Sequence, residues 1–209
     1  EDNFFVRTER TGKGTPGDSG KDKKGWELEK PGRIYLGVYA PGIGPLTPLV
    51  RIMSRLLHDT RIQQKVDGSE KYRTLVGYFN SVRELGGAVS LYREDIRERI
   101  KQIEDSGNKI TVGPDKIVEL SSRKSSVEIP VILESLESEG AAGKIPETDA
   151  IFTTSMFGTG VDVPHLSTMV VNGQPKTTSQ YIQATGRVGR SRGAIVVTFF
   201  KSGRPRDLS

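Results

Sequence analysis

Apolar positions along the chain follow two periods, and the switches between them divide it into short strands and helices. Residues 33–39, Arg33-Ile34-Tyr35-Leu36-Gly37-Val38-Tyr39, alternate and read as a strand. Residues 40–45, Ala-Pro-Gly-Ile-Gly-Pro, are turn-forming. Residues 46–64 then carry Leu49, Ile52, Met53, Leu56 and Leu57 at the spacing of a helix with one apolar face. After the break at Asp67-Gly68-Ser69, residues 73–79 read as a buried strand. Asn80-Ser81 then supplies a cap for a helix carrying Val82 and Leu85. Gly86-Gly87 is expected to weaken or interrupt that helix. A second helix over 93–104, with charges of both signs, is expected to show a solvent face. Strands are predicted at 116–120, 150–153, 168–171 and 194–200, and helices at 126–136 and 178–185. Pro130 fits the first of these helices only in its first turn. This alternation predicts an α/β fold: an open, mostly parallel sheet with helices on both faces.

Composition narrows the chemistry. The chain has 209 residues, a length suited to one domain with appendages, and 34% of them are hydrophobic. The apolar shortfall is concentrated at the start, so the remainder still builds a core. With 31 Lys and Arg against 26 Asp and Glu, the net charge is +5. That mild excess favours a polyanionic partner, though a soluble basic domain shares it. No cysteine is present, so disulfides and thiolate metal sites are excluded. His58 and His165, the only histidines, stand far apart without carboxylate clusters, and no metal site is expected. No apolar run approaches a membrane span and no signal peptide is visible, so a cytoplasmic location is expected.

Residues 1–30 read as a flexible N-terminal segment preceding a domain at 31–209. Residues 2–10 read as an extended piece, and 11–25 are rich in glycine and charge without an apolar residue. Gly14 to Gly20-Lys21 has the look of a phosphate loop. Five residues separate its glycines where that motif has four, and Asp22 stands where Ser or Thr would bind magnesium. Neither an apolar strand before it nor a helical pattern after it is present, so it is rejected.

The segment that carries chemistry is Gln183-Ala184-Thr185-Gly186-Arg187-Val188-Gly189-Arg190. Two arginines three residues apart suit one helical turn, which would point both guanidiniums the same way. Guanidinium is always charged and forks onto phosphate oxygens. Such a pair can neutralise charge building up on a transferring phosphate. Upstream lies Thr153-Thr154-Ser155-Met156-Phe157-Gly158-Thr159-Gly160-Val161-Asp162-Val163-Pro164. It leaves a predicted strand at its carboxyl end, where ligands bind in open α/β sheets. Its glycines allow a close approach of backbone to ligand.

The first of these segments resembles motif VI of superfamily 2 helicases, Gln-x-x-Gly-Arg-x-Gly-Arg, and the second resembles motif V. They stand in the family's order, joined by the strand-like Thr168-Met169-Val170-Val171. Tyr78-Phe79-Asn80-Ser81-Val82-Arg83 resembles motif IV. The resemblance covers residues 73–200 and implies the second RecA-like domain of a helicase core. Glu119-Leu120-Ser121-Ser122-Arg123, Val127-Glu128-Ile129-Pro130, Val171-Asn172-Gly173-Gln174-Pro175-Lys176-Thr177-Thr178 and Tyr181-Ile182-Gln183-Ala184-Thr185 resemble a narrower group. These are large bacterial and archaeal helicases that include the helicase-like subunit of the DISARM phage-defence system.

The resemblance assigns roles residue by residue. Arg190 corresponds to the arginine finger, Arg187 to its partner on the γ-phosphate, and Gln183 orients that end of the site. Gly160 and Asp162 fall at the nucleotide edge, with Asp162 near the ribose; a turn-capping carboxylate is the other reading of Asp162. Thr154 would hold a nucleic-acid phosphate, unless it is an ordinary strand-end residue. Asn80, Ser81 and Arg83 would meet the backbone at a helix N-terminus, or simply cap that helix. Arg123 stands where the family has a short backbone-contacting motif, which it matches loosely. Arg192 and Lys201 read first as basic surface residues, and His165 as a loop residue.

The cofactors implied are ATP and Mg, bound mainly by a first RecA-like domain whose phosphate loop and Asp-Glu motif this chain lacks. The chain is therefore expected to be part of a longer enzyme and inactive alone. Expected partners are nucleic acid, DNA favoured over RNA, that first domain of the same parent chain, and a defence-system protein. Two other readings remain open: a nucleic-acid-binding module without ATPase function, and a protein-docking module using the charged 93–104 helix.

Overall fold

A computed structural model describes residues 6–8, 32–62, 69–104, 110–139, 145–154, 163–190 and 193–208. The rejected phosphate-loop lookalike, Gly160, Asp162 and Arg192 lie outside the described residues.

The elements in chain order are β1 (Val6–Thr8), β2 (Arg33–Tyr39), α1 (Leu46–Ile62), β3 (Leu75–Phe79), α2 (Val82–Leu91), α3 (Arg97–Ile103), β4 (Ile117–Leu120), α4 (Glu128–Glu139), β5 (Ala150–Thr153), β6 (Thr168–Asn172), α5 (Thr178–Thr185) and β7 (Ala194–Phe200). The described strands form one sheet in the order β1-β2-β7-β6-β3-β5-β4. From β2 to β4 every neighbouring pair is parallel, and β1 adds an antiparallel edge to β2. The expected open, mostly parallel sheet is therefore the one that forms. Its order reverses about β3, with β5 and β4 on one side and β6, β7 and β2 on the other.

Strands β3, β5 and β6 are buried along their whole length, as parallel strands covered on both faces must be. Because side chains alternate along a strand, each one feeds two cores. Leu75, Phe79, Phe152, Val170, Val197 and Phe199 meet Met53 and Leu57 of α1, Leu85 of α2 and Ile100 of α3. Val76, Tyr78, Ile151, Met169, Val171 and Val196 meet Leu136 of α4 and Ala184 of α5.

One local expectation is corrected. Gly86-Gly87 does not interrupt α2, which runs through a π-helical turn, Tyr92–Ile96, directly into α3. Tertiary packing outweighs the glycine penalty here: Leu85 and Ala88 are buried on either side of the pair. A Cβ at Gly86 would lie only 3.2 Å from the Arg123 guanidinium. The 93–104 stretch shows the expected solvent face and adds a buried one. Tyr92, Ile96 and Ile100, four residues apart, are buried against the sheet, while the charges occupy the other face.

Candidate functional site

The parallel strands all point the same way, so their carboxyl ends share one edge of the sheet. Leu120 and Tyr78 both pair with Thr153, and Phe79 pairs with Asn172. The residues that follow are therefore neighbours: Ser121 to Arg123 after β4, Thr154 after β5, Asn80 to Arg83 after β3, and Gly173 after β6. At strand spacings of about 4.8 Å the first three lie within roughly 10 Å along the backbone. Positions 80, 123 and 154, far apart in sequence, thus come together at one edge.

Each of these side chains has a local account. Ser81 has extended backbone and its Oγ accepts from Glu84 N at 3.2 Å, which makes it the N-cap of α2. Ser81 and Arg83 are exposed. Asn80 instead spends its amide on structure, donating to Asn172 O at 3.2 Å and Gly173 O at 3.0 Å. It ties β3 to β6, leaving the exposed Ser81 hydroxyl and the Val82 and Arg83 amides at the start of α2. Thr154 is buried, its N–H directed to Leu120 O at 3.4 Å. Arg123 is exposed and its guanidinium rests over the bare Cα of Gly86. Its turn is held by Ser121 Oγ, which accepts from Arg123 N at 3.2 Å and donates to Glu119 at 2.5 Å.

Lys201 is no free surface cation. Lys201 Nζ and Arg204 Nη2 both donate to Glu84 Oε1, at 3.0 and 2.6 Å. Asp207 accepts from Gln174 N at 2.8 Å and Lys201 N at 2.9 Å. Gly173, at φ 78°, gives room for this packing, since a Cβ there would lie 2.7 Å from Arg204. The segment after β7 is thereby folded down onto the carboxyl edge, beside the start of α2.

The motif VI residues occupy the opposite edge. Helix α5 starts at the Thr177 cap and ends at Thr185, with Gly186 as its C-cap. Arg187 and Arg190 are therefore on a tight turn that follows the helix, a correction to the spacing argument, which put them on one helical turn. Gly189 is the reason: its φ is 71°, a conformation that favours glycine, and its N–H bonds Leu166 O at 2.7 Å. Val188 between the arginines is fully buried and anchors the turn in the core. Arg187 is half-buried and Arg190 exposed, its Nε 3.5 Å from Gly186 O. Gln183 is exposed on the last turn of α5 and reaches Ser179 Oγ at 3.4 Å. Two guanidiniums on one rigid turn suit a multiply charged phosphate group.

One participant has no signature in the sequence. Arg33, the first residue of β2, donates from Nε to Val188 O at 2.8 Å and from Nη2 to Gly186 O at 3.3 Å. Nothing local signals it, because the partners are 155 and 153 residues away.

Among the described residues no three His, Cys, Asp or Glu side chains gather as a metal site. None of the described helices is long and apolar enough to cross a membrane.

Comparison with known proteins finds a family model, a relative and solved structures. The model of the helicase conserved C-terminal domain matches residues 96–192. The chain is 43% identical over 192 residues to the DISARM protein DrmA of Bacillus paralicheniformis (strain ATCC 9945a / NCIMB 11709 / CD-2), a match covering 87% of this chain and 16% of DrmA. The chain thus spans about a sixth of that relative's length. Among solved structures, the DUF1998 helicase MrfA bound to DNA matches with a TM-score of 0.61 at 16% identity, over 86% of this chain and 21% of MrfA. MrfA bound to DNA and AMPPNP matches equally, at 0.61 and 16%, over 87% and 22%. Domain 2 of the DEAD-box helicase Mss116p bound to an RNA duplex matches at 0.51 and 14%, over 78% of this chain and 52% of that one. At these identities the structures speak to the fold, which is RecA-like.

Proposed function

This chain is a helicase C-terminal domain with the RecA-like fold, and from that premise we propose that it forms the second motor half of an ATP-dependent nucleic-acid helicase or translocase. The observation that carries the reading is the division of labour between the two edges of one sheet. The Arg187–Arg190 turn stands at the amino edge and the Ser81, Arg83, Arg123 group at the carboxyl edge. A five-residue strand such as β3 separates them by roughly 16 Å at about 3.3 Å per residue. A rigid sheet couples events at one edge to the other when the domain moves as a body.

ATP would lie between this domain and a first RecA-like domain, which supplies the phosphate loop and the Mg ligands. Arg187 and Arg190 would reach across that cleft. Their fixed positive charge stabilises the negative charge that develops on the γ-phosphate oxygens, an effect worth roughly 10³–10⁵ in rate for an arginine finger. Gln183, one turn earlier, would orient that end of the site, with Gly160 and Asp162 at the nucleotide edge. MrfA's complex with AMPPNP supports a nucleotide in this family's core.

Nucleic acid would cross the carboxyl edge. Ser81 and the α2 amides would receive one backbone phosphate and Arg123 a second, with Arg83 and Thr154 beside them. Contacts of this type fix position without reading sequence. We favour DNA, the ligand of the MrfA complexes, and a role in phage defence alongside partner proteins, from the identity to DrmA.

The test is nucleic-acid-stimulated ATP turnover by the full-length parent, wild type against Arg190→Ala. Turnover that disappears in the variant, with unchanged melting and unchanged nucleic-acid affinity, is the expected result. Undiminished turnover in Arg190→Ala overturns the assignment.

A further inference from the structure

The two carbonyls that flank Arg187 in sequence are held by a single side chain. Arg33 Nε donates to Val188 O at 2.8 Å, and Arg33 Nη2 donates to Gly186 O at 3.3 Å. These two nitrogens share one edge of a planar guanidinium, so the fork fixes both peptides relative to each other. Only Arg187 lies between them. Gly186 O also faces Arg190 Nε at 3.5 Å, so the same carbonyl touches the second site arginine. Arg33 is itself anchored. Its strand pairs with β7 from Arg33↔Ala194 to Tyr39↔Phe200, and Ala194 N donates to Gly32 O at 3.4 Å.

Backbone bonds hold the donors of the turn, Arg187 N–H on Ala184 O at 3.2 Å and Val188 N–H on Thr185 O at 3.4 Å, and leave its carbonyls to Arg33. Helix α5 has ended at Gly186, and Gly189 is in a left-handed conformation. Val188 packs inward and Gly189 N–H bonds Leu166 O, which pins the far side of the turn. The carbonyls on either side of Arg187 are fixed by Arg33. That edge of the guanidinium is spent on protein carbonyls, so Arg33 acts on the turn and not on a phosphate.

We propose that Arg33 is a positioning residue for ATP hydrolysis: its fork on the Gly186 and Val188 carbonyls sets the directions in which Arg187 and Arg190 leave the backbone. The inference rests on the helicase reading above. It extends the nucleotide site to a residue outside motifs IV to VI, on a strand that precedes all of them.

The experiment uses the full-length parent with Arg33→Met, Arg33→Lys and, as reference, Arg190→Ala. Readouts are kcat and KM for ATP under saturating nucleic acid, nucleic-acid affinity, and melting temperature. Arg33→Met is expected to lower kcat by ~10–100-fold, the scale of a displaced catalytic group. KM and nucleic-acid affinity are expected within about two-fold, and melting within a few degrees. Arg33→Lys keeps the charge and loses the fork, so it is expected to be as impaired as Arg33→Met.

Full activity in Arg33→Met, with Arg190→Ala inactive, overturns the inference and leaves the helicase reading standing. Full rescue by Arg33→Lys also overturns it, because charge alone would then suffice. A kcat that falls only in step with melting and nucleic-acid affinity makes Arg33 a fold residue and overturns it equally. Turnover undiminished in Arg190→Ala instead sinks the reading on which the inference rests.

Discussion

Arg61 Nη2 lies 2.5 Å from Asp149 Oδ1, joining the end of α1 to the residue before β5 across 88 positions of sequence. Both side chains are almost completely buried. Asp149 Oδ2 accepts from Gly113 N at 2.9 Å and from the Tyr92 hydroxyl at 3.4 Å, and Arg73 stands 3.7 Å from Oδ1. Burial and the adjacent carboxylate push the Tyr92 hydroxyl well above its usual range, which keeps it a donor. Burial and the neighbouring Arg61 lower Arg73, with Asp149 opposing them. Removing one partner leaves a buried charge uncompensated, which costs about 3–5 kcal/mol. Arg61→Met is therefore expected to lose stability on that scale in urea unfolding, and Asp149→Asn a comparable amount. A loss under about 1 kcal/mol for both would mean that the cluster is not a fold determinant.

Arg123 and Gly86 give a prediction about binding. The guanidinium lies where a Cβ on Gly86 would be 3.2 Å away, so the glycine lets it rest flat on α2 beside the Ser81 end. For every phosphate that a protein no longer neutralises, the dependence of log affinity on log salt becomes shallower by about 0.7–0.9. Arg123→Ala is expected to flatten the slope by about that amount and to weaken all sequences alike. Gly86→Ala should raise helix stability by up to about 1 kcal/mol while weakening binding, because it displaces the guanidinium. An unchanged salt slope in Arg123→Ala removes this residue from the backbone track.

His165 gives a prediction about pH. It is 4% exposed, and neither ring nitrogen finds a hydrogen-bond partner among the described residues. Burial lowers its pKa below the ordinary 6.5; Glu139 opposes the shift and Lys71 adds to it. The folded state therefore binds its proton more weakly than the unfolded chain. Stability is unaffected above about pH 6.5 and falls as the pH drops from there toward the lowered folded-state pKa. His165→Gln is expected to flatten part of the fall in melting temperature between about pH 7.5 and 5.5. Parallel profiles for wild type and variant would refute the assignment.

Much of the architecture is legible in the sequence because its signals are local. The alternating run at Arg33–Tyr39, the apolar run at Ala194–Phe200 and the 3.6-residue spacing of Leu49, Met53 and Leu57 mark elements that form at those positions. The order of the family's motifs places the candidate site residues along the chain, and strand order then gathers 80, 123 and 154 at the carboxyl edge. The glycine pair in α2 misleads, since its effect depends on what the far side of the helix packs against. The motif VI arginines mislead in conformation, because Gly189 and the Leu166 carbonyl decide that turn.

By itself the sequence determined the periodicities, the capping residues, the turn glycines and the charged groups, since these depend on neighbours within a few positions. It thereby determined an α/β sheet and the positions of the arginines proposed to meet a phosphate. Tertiary structure alone decided which residues stand together across long separations. Arg33 on the Gly186 and Val188 carbonyls, Arg61 on Asp149, and Lys201 with Arg204 on Glu84 are set by strand order, 88 to 155 residues apart in sequence. A guanidinium carries no record in its own segment of which carbonyl or carboxylate it will meet. Only the packing of β2 against β7 and of α1 against the sheet brings those donors within hydrogen-bond reach.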